Sequence, residues 1–322
     1  MKRKVSISIN HFQQLYGDKN ALLLSKKEVG VDAVDFCLND YSSSQADTVY
    51  SKGESAVIEY FSELREYADS LGLSVVQTHG RNPGCCGDPE QDAVILTDGR
   101  FDCLATRILG AKYTVMHGPK STKMVGVPAE RERESHFQMF TKLLPYAREN
   151  NVKIAWETGG LAGKDYSIFG LLRHADEFVR AYERVTEVED FKDWFCCCVD
   201  TGHSHLAAQV EGQPSMPELT RRLGSAVEVL HIHDNDGRSD MHVIPWFNAT
   251  PRMGSIDWMD FFRALDEIGY KGYYNLEIGL GKHGEHLAVE EAIFGVKVLK
   301  NLLQTYDGLP SEGVFDDTPY RI

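Results

Sequence analysis

The chain has 322 residues, 42% of them hydrophobic and 10% aromatic, which is enough apolar material for a large core. A formal net charge of -14 argues against a ligand held through a phosphate backbone, because such binding relies on clustered Lys and Arg. The N-terminal MKRKVSISINHF has basic residues but no apolar run behind them, and no window approaches the roughly 20 apolar residues of a spanning helix, so no membrane or nucleic-acid partner and a cytoplasmic location are expected.

The predicted elements alternate regularly along the chain. Short β-branched or aromatic runs occur at VSISI, VDAVDFCL, LSVVQTH, YTVMH, VKIAWE, WFCCCVD, VEVLHIH and YYNLE. Longer segments with helical spacing lie between them, such as IEYFSELREYADSLG and FFRALDEIG, the latter stopped by a glycine. Eight strand-then-helix units are the count of a (β/α)₈ TIM barrel, an α/β fold, and no linker divides the series. A single domain over 1–304 is therefore expected, followed by an irregular tail over 305–322 that wraps the barrel or meets another subunit of a homo-oligomer.

The seven cysteines, three of them consecutive at Cys196, Cys197 and Cys198 on a strand, do not suggest a disulfide framework. Reduced and mostly buried thiols are expected, with Cys85 and Cys86 in a turn-rich loop as a pair that could join a site.

Strand parity sorts the polar residues, because side chains two apart share a face. Glu157, Asp200, His231, His233 and Glu277 each take the face opposite their apolar neighbours, which places them inside the barrel. Each also sits at the C-terminal end of its strand, as do His79 and His117, where the loops of a barrel converge into active sites. Carboxylates and imidazoles gathered in a small buried volume repel or go unsatisfied unless a cation joins them. Oxygen and nitrogen ligands without thiolate suit Mn²⁺, Mg²⁺, Co²⁺ or Zn²⁺, and Mn²⁺ is the ion expected.

The stretches WETGG, DTGHSH, HIHDNDGRSDMH with the following MGSIDW, and NLEIG together resemble the xylose-isomerase-like TIM barrels over nearly the whole barrel. That superfamily groups sugar isomerases and epimerases with inosose dehydratases and endonuclease IV. The resemblance implies a metal held by Glu157, Asp200, His231 or His233, and Glu277, with His231 slightly favoured and His233 as a substrate or metal contact. It makes His203 a substrate contact, and it matches His79, His117, Asp240 and His242 to the nuclease's metal cluster, with Asp240 and His242 as a second metal site here.

The chemistry available to such a site is proton transfer on a small carbohydrate. A divalent ion polarises a ketose carbonyl and stabilises the enediolate formed when the adjacent carbon loses a proton, with Glu157 and Glu277 as acid and base. An isomerase or epimerase is expected. The alternative is a lyase of the same superfamily, an inosose-type dehydratase or an enzyme that cleaves C-glycosides of an oxidised sugar. An endonuclease IV-like phosphodiesterase ranks below both because of the acidic balance.

His79, His117, Arg238 and Trp246 are further candidates for substrate contact, as are Lys120, Lys164 and His283 on the loops above the barrel. Trp156 and Trp258 read as packing residues. No glycine-rich phosphate cradle of the nucleotide type is present, so no nucleotide cofactor is expected.

Overall fold

The computed structural model describes residues 3–119, 128–159, 174–245 and 256–308. Eight strands form one parallel sheet: β1 Lys4–Ser8, β2 Ala33–Cys37, β3 Ser74–His79, β4 Tyr113–Met116, β5 Lys153–Glu157, β6 Phe195–Asp200, β7 Val227–His231 and β8 Tyr273–Leu276. Neighbours in sequence are neighbours in the sheet, and β1 also pairs with β8. The circle closes just beyond β7, where the Ile232 N–H donates to the Asn275 carbonyl at 2.7 Å and the Glu277 N–H donates to the Ile232 carbonyl at 2.9 Å. This is the expected TIM barrel.

Strand β7 ends at His231, two residues short of the apolar run read from sequence. Its partner β6 ends at Asp200, which becomes the N-cap of the helix Thr201–Ala208, so the β6 ladder stops before His233. The Thr201 hydroxyl instead accepts from the His233 N–H at 2.9 Å. The last helix runs Ala288–Asp307, past the expected barrel limit at Gln304, and the rest of the expected tail lies outside the described residues.

Two apolar layers hold the scaffold. Val115, Ala155, Cys196, Cys198 and Val229 fill the barrel interior. Alternate strand residues such as Ile154, Trp156, Cys197, Val199 and Leu230 face the helices, as parity requires. Trp156 is fully buried there, stacked on Phe178 with ring centroids 4.1 Å apart and beside Phe140 at 5.3 Å. All seven cysteines are free, and the strand trio is buried. Among the described residues no helix is long and apolar enough to cross a membrane.

A buried ion-pair network ties the loops after β2 and β3 to the helix Pro89–Leu109. Arg81 donates to Asp102 at 2.7 Å, Tyr50 donates to the same carboxylate at 2.8 Å, and Asp98 accepts from Ser42 and from the Ser43 N–H. The Arg81 carbonyl accepts from the His117 N–H at 3.0 Å, so this network also fixes the strand ends that carry His79 and His117.

Phe140 is fully buried between Trp156 and Phe195. Phe140→Ala is expected to cost about 3–5 kcal/mol, seen as a lower urea midpoint with unchanged slope.

Candidate metal centre and substrate cavity

Glu157 and Asp200 end their strands, His231 ends β7, and Glu277 follows β8. Their side chains share the inner face with the small interior residues Ala155, Cys198 and Val229, which leave room above them. Glu157 is 2% exposed, Asp200 and His231 are 0% exposed and Glu277 is 8% exposed, so three carboxylates share a small, largely buried volume.

One ligand atom from each of Glu157, Asp200, His231 and Glu277 lies within 4.8 Å of the others. His231 Nδ1 is 2.9 Å from Glu277 Oε2 and 3.4 Å from Glu157 Oε2. Of the two histidines left open by the sequence, His231 stands with both glutamates. His233 turns to Asp200 at 3.0 Å and joins His203, Asp240 and His242 in a second group. A third group, His79, Glu157 and His231, shares two members with the first.

Glu157 is ringed by imidazoles. His117 Nε2 lies 2.9 Å from it, His203 Nδ1 3.1 Å and His79 Nε2 3.5 Å. In the second group Asp240 meets His203 at 3.1 Å and His242 at 3.2 Å, and the His233 and His242 rings stack at 3.8 Å. Gly202 makes this approach feasible, because a Cβ there would sit 2.0 Å from the His233 ring.

These atoms converge on shared points rather than on one another. Glu157 Oε2, Glu277 Oε2, Asp240 Oδ1 and His231 Nδ1 are buried without a hydrogen-bond partner, despite their short separations. Paired donors and acceptors would align; ligands of a common ion do not. The donor set, carboxylate oxygen and imidazole nitrogen, suits a divalent cation.

Protons take the place of a cation in the metal-free chain. Burial opposes charge on His231, yet Cys198, Glu277, Glu157 and Asp35 hold it well above its ordinary value. Burial likewise opposes charge on His203, and Asp200 and Asp240 raise it strongly. His242 is raised to about 9 by Asp240, Glu277 and Asp200 against its own burial. Burial would raise Glu157, but His117 and His231 hold it well below the carboxylate range. Burial lowers His117.

Asp35, on the inner face of β2, was not singled out from sequence because it lies mid-strand rather than at the end. It accepts from Ser8 at 2.8 Å, Asn275 at 3.2 Å and Gln77 at 3.3 Å, and its Oδ2 faces His231 Nε2 at 3.2 Å. A carboxylate behind one ring nitrogen leaves the other for an ion.

A cavity of about 280 Å³ opens against this cluster, with Glu277, His79 and His242 on its wall beside Asn10, Asn39 and Asn82. Of His79, His117 and His203, expected at the substrate, His79 lines it while the other two turn to Glu157. Arg238 is exposed and off the cavity, and His283 is exposed and paired with Glu291 at 2.8 Å. Trp258 packs in the core and donates to Asp234 at 3.2 Å. Cys86 contacts Gln91, Cys85 is half-buried, and neither joins a ligand group. Trp246, Lys120 and Lys164 lie outside the described residues.

Residues 26–298 match the family model described as xylose isomerase-like TIM barrel. The chain belongs to that family. The uncharacterized protein y4fM of Sinorhizobium fredii is 27% identical over 196 residues, which span 60% of this chain and 55% of that protein, little more than half its length. Among solved structures, a D-tagatose 3-epimerase-like protein superposes with a TM-score of 0.68 at 16% identity, covering 94% of this chain and 98% of that one. The IolI protein with a bound zinc atom superposes with a TM-score of 0.67 at 19% identity, covering 95% of this chain and 100% of that one. At these identities the likeness is one of fold.

Two outcomes follow from the geometry. The proton-linked stabilisation of His242 is complete below its ordinary 6.5 and is lost as pH rises through about 9, so a cation competes with protons and binds more tightly as pH rises. Calorimetry at pH 7 in buffers of differing ionisation enthalpy is expected to show proton release on Mn²⁺ or Zn²⁺ binding; no release would mean the imidazoles are already neutral. Asp35→Asn is expected to weaken metal binding by about 10- to 100-fold in a chelator competition, with the fold retained by circular dichroism.

Proposed function

We propose that this protein is a metal-dependent isomerase or epimerase of a small sugar, acting by proton transfer at the carbon beside a carbonyl. The observation that carries this reading is the junction of a small polar cavity with Glu277, His79 and His242 at the edge of the buried cluster. The cavity is just below the volumes of about 300–1,000 Å³ typical of drug-sized ligands, which fits a smaller molecule, and its amides suit hydroxyl groups. The D-tagatose 3-epimerase-like neighbour supports the reaction class, and the zinc atom in IolI supports the metal.

Glu157, Asp200, His231 and Glu277 would hold a divalent ion, with Mn²⁺ the ion we favour, and it would supply Lewis acidity toward the substrate carbonyl when bound. Glu277 reaches the cavity and stays ionised, because His231 and His242 hold it low against its burial, so it can accept the proton. The C–H electrons then pass toward the carbonyl oxygen, giving the enediolate of the sugar. Glu157 is the second carboxylate, oriented by His117 and His203. Proton return to the same carbon from the opposite face gives an epimer, and return to the neighbouring carbon gives the isomer. The Asn10, Asn39 and Asn82 side chains orient the hydroxyls.

The test is exchange of ketose C–H protons into D₂O by Mn²⁺-loaded protein. Exchange is expected, reduced about 10²- to 10⁴-fold in Glu277→Gln or Glu157→Gln, while Asp200→Asn loses the ion. A tightly bound ion with no exchange from any ketose would count against the proposal.

One observation favours a second reading. Two of the three ligand groups share Glu157 and His231, while His203, His233, Asp240 and His242 form a separate group, so the described residues offer places for more than one ion, and multi-metal clusters serve phosphate-ester hydrolysis. Three ions per chain, phosphodiester cleavage and no proton exchange would establish it.

A further inference from the structure

The cavity wall away from the buried cluster includes a cation whose place is set by a glycine. Lys282 lies on the loop after β8, and its amine makes one hydrogen bond among the described residues, to the Met241 carbonyl at 2.8 Å. No ion pair joins it to a carboxylate among the described residues. Its stem folds across Gly279: a Cβ there would stand 2.1 Å from Lys282 Cε and 2.4 Å from Nζ. The Gly279 N–H donates to the His242 carbonyl at 2.8 Å, so this backbone is anchored to the metal-side loop and the lysine is laid over it.

Two carboxylates share the wall with Lys282, and neither forms an ion pair with it among the described residues: Asp40 accepts from Gln14 at 3.1 Å, and Glu277 stands 2.9 Å from His231. His11, on the same wall, is bonded through Nδ1 to Asn10 at 2.8 Å. Its own burial pushes it down and Lys282 pushes it further, so the lysine's field reaches the cavity lining. Asn39 and Asn82 add amides. A cation with no carboxylate partner, beside amide donors, can recognise an anion.

We infer that the substrate carries an anionic group, carboxylate or phosphate, and that Lys282, laid over Gly279, binds it and thereby selects the substrate. This rests on the isomerase or epimerase reading for the identity of the cavity as the substrate site. It narrows the substrate class from small sugars to sugar acids and sugar phosphates.

The test uses full-length Mn²⁺-loaded protein and three matched probes, D-fructose, D-fructose 6-phosphate and D-fructuronate, with binding followed by calorimetry at low ionic strength. At least one anionic probe is expected to bind about tenfold more tightly than fructose, a difference diminished by salt. Lys282→Met should erase that preference and leave fructose binding and metal content unchanged. Gly279→Ala should do the same with the lysine still present, because the new methyl group displaces a flexible side-chain end. Whichever anionic probe loses more affinity identifies the group as phosphate or carboxylate. No anionic preference in the wild type, no binding of any probe, or a preference unchanged in both variants overturns the inference. Proton exchange in the same samples separates the two ideas. Exchange from fructose with no anionic preference sinks this inference alone, whereas Lys282-dependent anion binding without exchange from any probe sinks the isomerase or epimerase reading alone.

Discussion

Everything in this molecule is arranged around a carboxylate that water cannot reach. Glu157 is 2% exposed, and four imidazoles lie within 3.5 Å of its oxygens. An ionised carboxylate in that position costs several kcal/mol unless opposite charge accompanies it. Protons on His231 and His203 supply that charge in the metal-free chain, and a divalent ion supplies it more compactly. The same constraint explains why Asp200 and Glu277 can come so close without expelling one another.

The scaffold keeps the cluster from relaxing. Asp200 is held twice, as the cap accepting the His203 N–H at 2.6 Å and as the partner of His233. Asp35 stands behind His231, itself tied to three neighbouring strands through Ser8, Gln77 and Asn275. Arg81 braces the loops that carry His79 and His117 through its buried pair with Asp102. Each holds a ligand-type side chain through a second residue, which is how a site keeps unpaired polar atoms aimed at a common point.

Substrate chemistry enters from one side. Glu277, His79 and His242 reach the cavity, while Glu157 stays behind them. The cluster therefore joins a cavity-facing edge, where a small ligand can meet an acid or base, to a buried interior where charge is balanced. Its opposite wall carries Asn10, Asn39 and Asn82 with Asp40 and Lys282, a composition that reads hydroxyls and charge rather than apolar surface.

Much of this was legible in the chain. Eight strand runs separated by helical segments dictated a barrel, and period-two parity put Glu157, Asp200, His231 and Glu277 inside at the strand ends, because local sterics alone impose that alternation. Parity put His233 inward as well, but β6 ends at Asp200, so its place is set by Thr201 and it meets Asp200 rather than the two glutamates. The sequence offered little signal for Asp35, a lone mid-strand acid, or for Lys282, a loop lysine next to His283. Their roles depend on which residues from distant strands and loops arrive beside them. Alternation is a property of neighbouring peptide units, so the sequence determined which side chains point inward; convergence is a property of barrel closure, so only the tertiary structure decided which of them meet, which are left unpaired, and which open onto the cavity.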